Sequence, residues 1–215
     1  MSLWSARAAR SRLLADRYPA CREILLFYAG LAAWQGSVAG RSVSPHTVLD
    51  GLVELVTRTG SPLLRETARS LRLLPHLHSP PPLDFFGRAA RQPFAAGGPC
   101  PWCNTAPQAG CLVTQEHGMA LELVCGLCFS RRPFPRLRCP ACGRSKEGRL
   151  VSYSAPELSH LLVQACEDCR AYLLLVDLAR DPEALPEVDE LAGLPLDLWA
   201  QEQGYFKIRR NLAGV

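Results

Sequence analysis

The 215-residue chain is short of the features that announce most functions. Its longest apolar run, Ile24 to Trp34, has 11 residues. A helix needs about 20 to cross a bilayer, so no membrane span is expected. The first twenty residues carry arginines but no apolar stretch of the secretory type. A secretory signal is therefore not expected. An Arg-rich, acid-poor start also occurs in organelle transit peptides, but the helical pattern that follows favours a cytoplasmic location. There is no GxSxG, no Walker loop, no dinucleotide fingerprint and no HExxH. With no catalytic constellation in view, the reading is a binding or scaffold protein and not an enzyme. No solenoid repeat is present either.

Acidic residues are scarce in the first half. Residues 1–99 carry a net charge of +6 and residues 100–215 a net charge of −2, which together make the chain's +4. Eight thiolates holding two divalent ions would bring the second half to −6. Contacts to phosphate need positive surface, so that half is poorly suited to general nucleic-acid binding.

Cysteine is the residue in excess. Eight of the ten cysteines lie between Cys100 and Cys169 in four CxxC pairs: CPWC, CGLC, CPAC and CEDC. A CxxC turn lets two sulfurs converge on one ion, and backbone N–H groups of the turn stabilise their charge. Two such turns joined by a hairpin make a tetrahedral four-cysteine site. Cys103 and Cys125 are separated by 21 residues, and Cys142 and Cys166 by 23. Both gaps suit a hairpin that returns one turn to the other. The expected grouping is sequential. Cys100, Cys103, Cys125 and Cys128 form one site, and Cys139, Cys142, Cys166 and Cys169 the other. The alternative is an interleaved cross-brace. Prolines in CPWC and CPAC fix φ within the turn. Gly143 and Asn104, next after their pairs, suit the positive φ that closes it.

In a reducing compartment such pairs point to metal, not to disulfides. A thioredoxin-type redox pair would need a βαβ setting that none of the four has. An all-sulfur ligand set suits zinc and a single iron alike, so two metal ions are expected, iron or zinc, one per site. Cys21 and Cys111 fall outside the pattern and read as small buried residues. His46, His76, His78, His117 and His160 have no ligand spacing to one another.

The fold class expected is α+β. Residues 1–74 read as a helical domain. Ile24, Phe27, Tyr28, Leu31 and Trp34 recur at helical spacing, with Pro19 in the first turn. Ser44-Pro45 and Ser61-Pro62 should start two further helices, the second carrying Leu63, Leu64, Ala68, Leu71 and Leu74. Residues 75–99, with Phe85, Phe86 and Phe94, read as a Pro-rich linker. Residues 100–138 form a first four-cysteine module, and residues 139–215 a second with a C-terminal helix. Strands are predicted over 110–114, 119–124, 149–154, 160–165 and 172–178. A helix is predicted over 188–203, with a break or restart at Pro195. The arginines 131, 132, 136 and 138, beside Phe129 and Phe134, read as a solvated connector; gripping RNA or DNA is the alternative.

The ordered run CPWCNTAPQAG, LELVCGLC, LRCPACGRSKEGRLVSYS, VQACEDCRAYLLLVDL and LPLDLWAQEQGYFKIRRN resembles the formate dehydrogenase accessory protein family, the FdhE-like proteins. The resemblance covers residues 100–211, and REILLFYAGLAAWQGSVA resembles a helix of that family's N-terminal domain. It implies a helical domain followed by two tandem rubredoxin-like or zinc-ribbon-like modules. It also implies a cytoplasmic assembly factor that binds the catalytic subunit of formate dehydrogenase, or of a related molybdenum or tungsten oxidoreductase, during maturation. The eight CxxC cysteines carry over as metal ligands, iron has been associated with them, and no catalytic residue carries over. The chain departs from the family pattern at Asn104, in FSRRPFPRLRC and at its NLAGV end. Two rival readings are a zinc-ribbon nucleic-acid binder and an iron-dependent redox sensor.

Overall fold

The computed structural model describes residues 2–72, 99–116, 118–145 and 149–214. The 75–98 part of the linker, with Phe85, Phe86, Phe94, His76 and His78, lies outside the described residues, as do Leu74, His117 and the side chains of Leu63 and Leu71. The chain divides into two compact units, Met1–Arg88 and Ala89–Val215.

In the first unit the chain reverses between its first two helices. Helix α1 (Leu3–Arg17) starts on Ser2, whose hydroxyl accepts the Ser5 N–H. A 3-10 turn (Pro19–Cys21) leads into α2 (Arg22–Val38). Pro19 thus opens that turn and not α2 itself, because a residue without an N–H suits the start of any helical turn. Leu14 and Ala15 of α1 are buried, as are Leu25, Ala29 and Ala32 of α2. The buried Ser11 hydroxyl donates to the Leu25 carbonyl at 2.6 Å and ties the pair together. Cys21 is buried, as a small apolar residue would be. Helix α3 (Pro45–Thr59) starts where its Ser-Pro signal predicts, with the Ser44 hydroxyl accepting the Thr47 N–H at 3.1 Å. Helix α4 (Pro62–Arg72) does the same at Ser61, and α3 packs against both α2 and α4.

The second unit is built on one sheet of seven strands: β1 (Pro107–Gln115), β2 (Gly118–Cys125), β3 (Arg131–Phe134), β4 (Leu150–Tyr153), β5 (Leu161–Cys166), β6 (Ala171–Asp177) and β7 (Phe206–Lys207). The order is β3-β2-β1-β6-β5-β4, with β7 parallel to β6. Each half is an antiparallel meander, and the halves join through a parallel pairing of β1 with β6, Ala109 opposite Leu174 to Leu112 opposite Asp177. The third strands of the two halves occupy opposite situations. β6 is central, and Ala171 to Val176 are buried on both faces. That accounts for its unbroken apolar run. β3 is an edge, so it tolerates two arginines and Pro133, which lacks a ladder N–H. The sequence alone read β3 as a connector.

The expected C-terminal helix is two helices, α5 (Pro186–Ala192) and α6 (Leu194–Glu202), with the break at Gly193 and Pro195 in the first turn of the second. α5 packs on β1 and β6, and α6 on β5 and β7. Helix α5 buries carboxylates as well as apolar groups. Lys207 on β7 donates to Glu190 of α5 and to Asp197 Oδ2 of α6, the latter at 2.6 Å. The amide of Asn211 donates to the same two carboxylates at 3.1 and 3.0 Å, and Gln108 of β1 donates to Glu190 at 3.2 Å. Burial pushes Asp197 up to about 6, against the pull of Lys207. Two carboxylates share one ammonium here, so loss of that ammonium leaves buried, uncompensated charge. Lys207→Met is expected to lower the unfolding free energy of this unit by about 3–5 kcal/mol in denaturant melts. Combining it with Glu190→Gln and Asp197→Asn should restore part of that loss.

Candidate metal centres

Each CxxC pair sits where a strand begins or ends. Cys100 and Cys103 precede β1, and Cys125 and Cys128 close β2. Cys139 and Cys142 precede β4, and Cys166 and Cys169 lie between β5 and β6. All four turns share one backbone geometry. The residue after each pair has positive φ: Asn104 at 56°, Phe129 at 57°, Gly143 at 71° and Arg170 at 60°. In three turns the N–H of that residue donates to the carbonyl of the first cysteine, at 2.8 Å from Asn104, 2.9 Å from Gly143 and 2.8 Å from Arg170. Asn104 and Gly143 are legible as left-handed positions in the sequence; Phe129 and Arg170 are not. Arg170 holds the conformation through tertiary contacts. Its guanidinium bonds Glu167 at 3.1 Å, reaches the Gln203 carbonyl and stacks over Tyr205 at 3.8 Å.

The hairpins bring the cysteines into two sequential groups. The sulfurs of Cys100, Cys103, Cys125 and Cys128 lie within 4.8 Å of one another, as do those of Cys139, Cys142, Cys166 and Cys169. In the first group Cys100 and Cys128 are 3.5 Å apart, Cys103 and Cys125 3.3 Å, and Cys103 and Cys128 3.7 Å. In the second, Cys139 and Cys169 are 3.7 Å apart, and Cys142 and Cys166 3.9 Å. A tetrahedron with metal–sulfur bonds of about 2.3 Å has edges of about 3.8 Å, so each group has the size to hold one ion.

The electrostatics of both groups fit a cation. Burial works against ionising Cys100, but the Ser130 hydroxyl and the N–H groups of Cys103 and Trp102 outweigh it and bring its pKa to about 6. Cys103 and Cys142 are also lowered, by hydrogen bonds that outweigh burial. Burial pushes Cys125 up to about 12 and Cys169 up to about 11, and it raises Cys139 too. Each group therefore combines thiols whose ionisation hydrogen bonds favour with thiols whose ionisation burial opposes. A divalent ion at the centre is what would allow all four to ionise together.

Sequence reasoning missed three participants. Ser130 lies 3.3 Å from Cys100 Sγ and 3.1 Å from Cys128 Sγ, a place set by the turn at Phe129. Arg209 comes from the far end of the unit to pack on Gly126, between Cys125 and Cys128. His160, Asp181 and Asp189 form a third cluster. There His160 Nε2 and Asp189 Oδ1 are 3.0 Å apart, and Asp189 Oδ2 accepts the Leu185 N–H. These residues meet through strand pairing and helix packing over long sequence separations. Cys111 is buried on β1 outside both groups, and burial raises its thiol to about 11. The arginines of the connector are partly engaged within the fold. Arg136 donates to the Met119 carbonyl and Arg138 to that of Gly143.

The turn geometry gives a direct test. Asn104→Gly is expected to leave stability unchanged or slightly raised, because glycine adopts the left-handed region freely. Gly143→Val should cost about 1–3 kcal/mol. Denaturation of the metal-loaded chain distinguishes the two, and an equal effect would contradict the shared turn geometry.

Comparison with known proteins agrees with these features. The family model "FdhE, C-terminal domain" matches residues 137–213. A protein described as an FdhE homolog from Aquifex aeolicus (strain VF5) is 34% identical over 116 residues, covering 54% of this chain and 41% of that protein. Another from Pseudomonas putida is 30% identical over 126 residues, covering 56% of this chain and 40% of that protein. One from Shewanella baltica (strain OS195) is 24% identical over 249 residues, covering 92% of this chain and 81% of that protein. The chain thus spans about two fifths of the length of the first two relatives. The crystal structure of the FdhE protein from Pseudomonas aeruginosa shares the fold, with a TM-score of 0.71 at 21% identity over 98% of this chain and 94% of that one. Residues 137–213 thus match the C-terminal domain of FdhE, and the chain is similar to FdhE proteins in sequence and in fold.

Proposed function

We propose that the protein is an accessory, chaperone-like factor. It binds the catalytic subunit of formate dehydrogenase, or of a related molybdenum or tungsten oxidoreductase, during maturation in the cytoplasm. Cys100, Cys103, Cys125 and Cys128 hold one metal ion, and Cys139, Cys142, Cys166 and Cys169 hold a second, as iron or zinc. In this reading residues 1–74 are a helical domain, and residues 100–138 and 139–215 are two tandem rubredoxin-like or zinc-ribbon-like modules. The observation that supports the reading best is the pair of preformed four-sulfur clusters within an FdhE-like chain.

Four sulfur ligands close a tetrahedral site and leave no position for a substrate, so the sites act as structural clamps and function lies on the surface. The first site offers such a surface. Trp102 is 82% exposed and Leu127 46% exposed, and each lies within one of its two cysteine turns. A solvent-facing tryptophan beside a rigid metal turn suits protein contact. Among the described residues no helix is long and apolar enough to cross a membrane. Nucleic-acid binding has less support, since Arg136 and Arg138 make hydrogen bonds within the fold.

The test is capture by the full-length chain from cells that make a formate dehydrogenase. An oxidoreductase catalytic subunit is the expected partner, and Trp102→Ala is expected to weaken capture roughly tenfold or more. Capture of no oxidoreductase subunit from such cells refutes the assignment. In the same preparations elemental analysis should find two metal ions per chain, with Cys100→Ser and Cys139→Ser each losing one. Chelation should unfold the Ala89–Val215 unit, because metal binding supplies much of the folding free energy of such modules.

A further inference from the structure

The side chain of Arg209 lies against the first four-cysteine group from outside it. A Cβ placed on Gly126 would sit 2.4 Å from Arg209 Cδ and Nε and 3.1 Å from Cζ. Only a residue without a side chain leaves room for this arginine between Cys125 and Cys128. Arg209 is partly buried, and among the described residues it has no ion pair with an Asp or Glu. Its electrostatic partners are the sulfurs of Cys125 and Cys103, once these are ionised. Burying a cation away from any anion is costly. Four neutral thiols would not offset that cost, whereas four thiolates around a divalent ion carry a net charge of −2 and would.

The backbone of Arg209 is held on both sides. Lys207 and Asn211, two residues before and two after, are anchored to Glu190 and Asp197. The N–H of Ile208 donates to the Tyr172 carbonyl at 3.1 Å. The guanidinium is thus presented to the site by the fold. The second group is arranged differently. Its nearby arginines, Arg144 and Arg149, already share Asp168 of the fourth turn, at 3.6 and 2.8 Å. The second turn, CGLC, has no acidic residue.

We propose that Arg209 is the counter-charge of the first four-cysteine site, a positioning residue that retains the metal there and has no role at the second site. The inference rests on the metal-site part of the function proposed above and is independent of the client protein.

Site-resolved alkylation of the zinc-loaded, full-length chain tests it. Iodoacetamide is added during a chelator challenge, and mass spectrometry reads which cysteines are modified. Arg209→Met keeps the bulk of the side chain and removes its charge. It is expected to speed modification of Cys100, Cys103, Cys125 and Cys128 by about tenfold or more, the usual size of an outer-shell effect on metal affinity. Cys139, Cys142, Cys166 and Cys169 should react as in the parent. Arg209→Lys should restore most of the protection. Gly126→Ala, which displaces the arginine without touching a sulfur, should reproduce the Arg209→Met result, and the double variant should be no worse than either single one. Unchanged protection in Arg209→Met overturns the proposal, as does Arg209→Lys behaving like Arg209→Met, or equal acceleration at both sites. Should Arg209→Met fail to fold, Gly126→Ala decides alone, and parent-like protection of its first site overturns the proposal.

Discussion

The parallel pairing of β1 with β6 is the interaction on which the second unit depends. Each three-stranded meander alone can bury only one face. Joining the first strand of one to the third strand of the other makes a single sheet, with β6 enclosed between neighbours. The helices α5 and α6 then have a broad surface to cover, and their buried carboxylates meet Lys207 and Asn211 across it. Non-local pairing of this kind carries a large loop-closure cost, which a burial as complete as that of Leu173 to Val176 offsets.

Charge balance is the second constraint. Converging sulfurs are stable as thiolates only beside positive charge, and the two sites obtain it in different ways. The second has Arg144 and Arg149 beside it, both paired with Asp168 of its own turn, whereas the first has Arg209 delivered from the C-terminal segment. The first site also carries the more exposed cysteine, Cys128, and the exposed Trp102. The two four-cysteine groups are therefore alike in turn geometry and different in surroundings.

Local patterns were legible in the chain and long-range ones were not. Ser44 and Ser61 start helices because a serine before proline satisfies the first free N–H groups with its own hydroxyl, a matter of three residues. The strands of each hairpin could be placed because alternating or continuous apolar runs bracket the cysteine turns. β3 was hidden, because an edge strand with Pro133 and two arginines has the composition of a connector. Phe129 and Arg170 were hidden as left-handed residues because neither residue type favours that region; for Arg170 the contacts that hold it come from elsewhere in the fold.

By itself, the sequence determined the four cysteine turns, the spacing that groups them in order, the helix starts and the switch from helical to strand texture at Cys100. These depend on interactions within a few residues or across one hairpin, so composition and spacing carry them. Tertiary structure alone decided that the two meanders share a sheet, that a buried lysine gathers Glu190 and Asp197, and that Arg209 reaches Gly126. Those contacts join residues 10 to 83 positions apart. They form because burying apolar strands and balancing buried charge outweigh the entropy of closing the chain between them.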